Sequence, residues 1–215
     1  MIKMNSNTLR YDILRELFNI SIGKAASILS EITNKKILLD VPNIEILNSQ
    51  DENFKINGCL PDKMDGTLMV SSICFEKKLK GKANLIFPAK KMRTFINLCL
   101  NEEQENSQYY DMNFTDIDFD TVKEIGNIIL NCILGEIGNY LNINLTYTLP
   151  EVKVFDVIDF SKDIKNEGYI YTLILYITFL IDDVEIEGAI IIDLTLKSLN
   201  ELMKKIDKVR DELDE

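Results

Sequence analysis

A three-residue polar pattern occurs twice in this chain, and the fixed distance between the copies constrains its architecture more than any other feature. Asp12, Glu16 and Asn19 in "YDILRELFNISIGK" are matched by Asp120, Glu124 and Asn127 in "DTVKEIGNIILN", each 108 residues further on. In both copies 22 residues separate the asparagine from a proline, Pro42 in the first and Pro150 in the second. The intervening "TNKKILLDVP" and "LNINLTYTLP" also correspond. Such self-similarity is the signature of a duplicated unit.

The repeat continues past the prolines. "KGKANLIFPAKKMRTFINLCL" and "IEGAIIIDLTLKSLNELMKKI" share a pattern in which Gly81 and Gly188 open β-rich runs that lead into amphipathic helices. "TLMVSSICF" and "YIYTLILYITFLI" read as strands, and Asp182-Asp183 marks a hairpin turn before "VEIEGAIII". Each half therefore predicts a long helix, short strands, a hairpin and a helix. The expected fold is an α/β (α+β) two-layer architecture with pseudo-two-fold halves, its β-sheet covered by long helices, the strands forming one sheet or two packed sheets.

We expect one domain over residues 1–215, built from halves at about 8–100 and 117–212 with a linker at 101–116. One half is too small to bury its sheet alone. The acidic "NEEQENSQYYDMNFTD" marks the linker, ordered in part by Tyr109, Tyr110 and Phe114. The apolar positions Leu199, Leu202, Met203, Ile206 and Val209 predict a final helix packed on the sheet. Met64, Met69, Phe75 and Phe87 read as core or hairpin filling.

At about 100° per residue, Asp12, Glu16 and Asn19 fall at roughly 0°, 40° and −20° on a helical wheel. Leu14, Leu17, Phe18 and Ile28 are expected on the opposite face. Charges on an outer helix face usually do no more than contact water. A second copy in register changes the odds, because the exposed polar positions recur while a core position drifts from Phe18 to Gly126. Arg15 and Lys123 also correspond and would either steer an anionic partner or solvate the helix. Gly23 falls one turn beyond Asn19 and leaves room for a partner, whereas the second half has the bulkier Asn131 there.

Composition removes several chemistries. The chain has no histidine, which excludes histidine-based triads, phosphohistidine intermediates and histidine metal sites. Cys59, Cys74, Cys99 and Cys132 form no C-x-x-C pair and read as buried thiols of a reducing compartment. A net charge of −11 argues against a nucleic-acid partner, which would require clustered cations. "MIKMNSNTLR" has no apolar signal core, and the run from Tyr169 to Ile181 is shorter than the ~18 residues of a membrane span. A cytoplasmic protein without a membrane span is expected.

What remains is a carboxylate beside a carboxamide, twice. Glu and Asn three apart are helix-surface neighbours. An amide both accepts and donates hydrogen bonds and so fixes a water without holding its proton. Phosphoryl transfer needs such positioning more than covalent chemistry.

The doubled D-x3-E-x2-N-x22-P pattern, the duplicated halves and the length together resemble the CheC-type family of phosphatases, related to CheX and FliY. Those proteins dephosphorylate the chemotaxis response regulator CheY. The resemblance implies that Asn19 and Asn127 orient the water that attacks the aspartyl phosphate. It implies that Glu16 and Glu124 grip the regulator's lysine beside that phosphate. Asp12 and Asp120 would support the site near the helix start, favoured there by the helix dipole, and Pro42 and Pro150 would be structural. No metal or other cofactor is expected on this chain, and magnesium would arrive with the phosphorylated CheY-like regulator. Some members bind a CheD-type receptor deamidase, and a non-catalytic adaptor for either partner is the alternative function. Two complete patterns depart from the single-motif CheX type, and no separate flagellar switch domain as in FliY is expected. The internal two-fold suggests a monomer.

Overall fold

The computed structural model describes residues 6–49, 51, 66–100, 113–166 and 169–213. Most of the expected linker, Tyr109, Tyr110, Cys59 and Met64 lie outside them. The first half contains α1 (Ser6–Thr33), β1 (Ile37–Asn48), β2 (Thr67–Glu76), β3 (Gly81–Pro88) and α2 (Ala89–Leu100). The second contains α3 (Asp116–Leu141), β4 (Thr146–Tyr147), β5 (Glu151–Asp156), α4 (Val157–Asn166), β6 (Tyr171–Ile181), β7 (Val184–Leu194) and α5 (Leu196–Leu213).

The strands form one antiparallel sheet in the order β1-β6-β7-β3-β2-β4, with β5 also pairing β2. The pseudo-two-fold runs through the central β3/β7 pair, so the fold class expected from the repeat is observed. Each half lends a strand to the other: β1 pairs with β6, and β5 pairs with β2. Gly81 and Gly188 are needed at this seam. A Cβ on Gly81 would lie 2.3 Å from the carbonyl oxygen of Asp193, and one on Gly188 would lie 2.4 Å from the Phe87 ring. Gly81 opens its strand as expected; Gly188 instead sits inside β7, because the hairpin carries that strand back to Val184.

Alternation along the strands divides the core. Leu173, Leu175, Ile190 and Ile192 pack with Leu14 and Phe18 of α1, Phe95 of α2, Ile129 and Ile133 of α3, and Leu202 and Ile206 of α5. Phe87, Phe95 and Phe179 meet there, with ring centroids 5.1 Å apart for Phe87–Phe179 and 5.3 Å for Phe95–Phe179. Met69, Phe75 and Phe87 are core residues as read. The opposite sheet face is covered by α4, whose Phe160 and Ile164 bury Leu68, Val70, Ile174 and Ile191. That helix was not legible in the repeat. The final helix packs on the core and is tied to α1 by Arg10, whose Nη2 donates to Asp207 at 2.8 Å.

The helix ends repeat as faithfully as the helix faces. α1 is followed by Asn34 and α3 by Asn142, both at φ 54°, and these two asparagines are again 108 residues apart. Asparagine tolerates this left-handed conformation and ends a helix with it. Asp182 and Asp183 take φ 45° and 68°, which suits the two-residue turn between β6 and β7.

Two sequence expectations are corrected. Ile28 is 41% exposed rather than buried, because the sheet-facing stripe of the long α1 runs instead through Ala25, Ala26 and Leu29. Among the cysteines, Cys74 is exposed and Cys99 and Cys132 are half-buried. Cys74 is on the sheet face opposite the main core. Burial raises the Cys99 thiol to about 11 and also pushes Cys132 upward, so neither is a ready thiolate.

Candidate functional site

The first copy of the pattern lies on α1 and the second on α3, two helices that pack against each other and are joined by a Lys24–Glu136 ion pair. Their inward faces are apolar, which turns the polar residues outward. Glu16 and Glu124 are exposed, and Asn19 and Asn127 are half-buried. Among the described residues no cation pairs with either glutamate, so each carboxylate is available to an incoming positive charge.

The proline spacing has a structural meaning in the first copy. Oδ1 of Asn19 accepts the backbone N–H of Val41 at 3.2 Å. Val41 and Pro42 occupy a shift in the β1/β6 register between Asp40 and Asn43, a bulge that leaves a backbone donor unpaired by the ladder. The asparagine takes that donor. With Oδ1 turned to the protein, Nδ2 of this half-buried side chain has no acceptor among the described residues.

The second copy achieves the same amide polarity with a different donor. Oδ1 of Asn127 accepts from Nδ2 of Asn131 at 2.7 Å. At the position corresponding to Val41 stands Leu149, which is 82% exposed. Its neighbour Thr148 donates its N–H to the carbonyl of Cys74 at 2.9 Å, which ties this segment to β2. Pro150 is buried and Pro42 exposed, so the two prolines sit in unlike surroundings.

Asp12 and Asp120 lie beyond the first helical turn, where the helix dipole has largely faded. The dipole role expected for them is therefore replaced, for Asp12, by an ion pair with Arg15 at 3.0 Å. The first-turn acids of α3 are Asp116 and Asp118. Asp12, Arg15 and Pro42, with Tyr11, Asn43 and Ile44, line a cleft of about 260 Å³ beside the first copy. A cleft of about 380 Å³ lined by Lys78, Leu79, Leu141, Ile143, Lys197 and Glu201 shares no residue with either pattern. No group of three or more potential metal ligands occurs among the described residues. No described helix is long and apolar enough to cross a membrane.

The model of the CheC-like family matches residues 11–46, the stretch that runs from the first copy of the pattern through Pro42. A curated relative, the CheY-P phosphatase CheC of Bacillus subtilis (strain 168), is 29% identical over 146 residues. That match covers 66% of this chain and 65% of the relative. Over these stretches the chain is similar to the CheC-type family. The fold agrees with Thermotoga maritima FliY at a TM-score of 0.71 and 16% identity, covering 96% of this chain and 99% of that one. It also agrees with the FliM middle domain of H. pylori at a TM-score of 0.59 and 12% identity, covering 94% and 99%.

Sequence reasoning did not assign roles to the Val41 N–H or Asn131 in this candidate site. The first was implicit in the proline spacing, since a proline fixes the residue before it. The second was implicit in the one-turn separation from Asn127, a distance at which helix side chains meet.

Proposed function

We propose that this protein is a phosphatase that hydrolyses the aspartyl phosphate of a CheY-like response regulator, with sites at Glu16/Asn19 and Glu124/Asn127. The observation that carries this reading is the fixed carboxamide: in both copies Oδ1 accepts a hydrogen bond from within the protein, and Nδ2 has no acceptor among the described residues. Such a donor hydrogen-bonds one lone pair of a water and leaves the other aimed at phosphorus. The exposed glutamate one turn away takes the regulator's lysine and sets the two proteins in register. Positioning of this kind removes a large part of a phosphoryl-transfer barrier.

The chemistry needs no group covalently attached to this chain. The water oxygen forms the new bond to phosphorus, the bond to the regulator's aspartate breaks, and the aspartate departs as a carboxylate. The water's proton leaves with inorganic phosphate. Magnesium held by the regulator would offset the charge on the phosphoryl oxygens.

The test is the decay of aspartyl phosphate on the regulator with magnesium, with and without this protein, followed by phosphate release. Acceleration that persists in Asn19→Ala and in Asn127→Ala but disappears in the double variant supports two catalytic amides. Binding of the phosphorylated regulator without faster decay would reject the phosphatase and leave an adaptor. Acceleration retained in the double variant would remove the assigned residues from the chemistry.

A further inference from the structure

We infer that Asn131 is the positioning residue of the second site, doing there what the backbone N–H of Val41 does at the first. This rests on the reading of Asn127 as the amide that handles water. Asn131 stands where the first half has Gly23, around which no atom would contact an added Cβ within 4 Å. Its side chain crosses one helical turn and donates from Nδ2 to Oδ1 of Asn127 at 2.7 Å. No other described donor reaches that oxygen.

The backbone explains why a side chain is needed. β1 runs unbroken from Ile37 through Val41 to Asn48 and brings an unpaired N–H beneath Asn19. The corresponding stretch of the second half is divided into β4 and β5, with Leu149 between them. No described bond joins its N–H to Asn127. Without another donor, Asn127 would be free to rotate its amide and present oxygen and nitrogen alternately. Asn131 removes that freedom.

A second observation sets Asn131 apart from a packing residue. Its own Oδ1 is buried without a hydrogen-bond partner among the described residues. Burying an unsatisfied polar atom is unfavourable and uncommon, and an apolar side chain would fill the position without that cost. Orientation of Asn127 accounts for a carboxamide here.

The experiment isolates the second site in the Asn19→Ala variant. Adding Asn131→Ala should lower kcat for regulator dephosphorylation at least tenfold with little change in KM. Adding Asn131→Asp, which replaces the donor by acceptors, should do the same, and Asn131→Gln should restore part of the loss. In parallel, Asn131→Ala should shift the side-chain amide NMR signals of Asn127 and leave those of Asn19 in place. An unchanged or raised kcat in Asn19→Ala/Asn131→Ala, or unmoved Asn127 signals, would overturn the inference. So would an Asn19→Ala variant with no turnover beside an active wild type. If the wild type itself is inactive, the phosphatase reading fails and the Asn127 signals alone decide whether Asn131 sets the amide.

Discussion

Oδ1 of Asn19 accepts the backbone N–H of Val41 across a sequence separation of 22 residues, and this bond couples a residue of the candidate site to a bulge in the sheet. It gives Asn19 two duties that one substitution can separate. Asn19→Asp keeps an acceptor for Val41 and loses the Nδ2 donor, whereas Asn19→Ala loses both. With the second site removed by Asn127→Ala, both variants should abolish turnover. Only Asn19→Ala should also lower the urea midpoint, by about 1 kcal/mol of stability. Denaturant titration alongside the dephosphorylation assay checks both halves of this expectation.

Gly126 sets how closely α3 approaches the sheet. A Cβ there would lie 2.1 Å from Oγ and 2.6 Å from Cβ of Ser71; the hydroxyl can rotate away, but the Cβ is fixed to the β2 backbone and cannot. Gly126→Ala should therefore destabilise by about 1–3 kcal/mol through overpacking. Gly135, on the same helix, has nothing within 4 Å of an added Cβ, and Gly135→Ala should instead stabilise by up to about 1 kcal/mol. Chemical denaturation of the two variants provides an internally controlled comparison.

The start of α3 carries a pH-dependent contribution. Asp118 is 4% exposed, and burial by itself would raise its carboxyl. The Thr115 backbone N–H at 2.6 Å and Arg93 at 2.8 Å outweigh that and hold it below the ordinary carboxylate range. Because the folded value lies below the unfolded one, the resulting stability is present above the unfolded value of about 4. It is lost as pH falls through the lower folded value. Asp118→Asn should cost about 2 kcal/mol at pH 7, and the gap between variant and wild type should narrow at about pH 3. Urea midpoints of both proteins at the two pH values measure it, and a gap that is constant with pH would contradict the assignment.

The duplication was legible because its markers obey local rules. A polar cluster on one helix face and an Asp-Asp turn each depend on a few neighbouring residues. The 108-residue register made the polar cluster visible twice. α4 was not legible: the similarity noted between the halves does not include Val157–Asn166, and its role becomes apparent only when Phe160 and Ile164 are seen covering the far face of the sheet. Ile28 was misplaced because the buried stripe of the long α1 drifts round the helix to Ala25, Ala26 and Leu29, away from the face that Leu14 and Leu17 mark near its start.

The sequence by itself determined the two-fold plan, the residues of each polar cluster and the absence of histidine chemistry, since periodicity and composition need no partner strand to be read. Tertiary structure alone decided that the halves exchange β1 and β5, and that Val41 anchors one amide while Asn131 anchors the other. A carboxamide is oriented by whichever donor the fold brings to its oxygen. The donor at the first site lies on a bulged strand 22 residues away, and the one at the second lies one turn along the same helix.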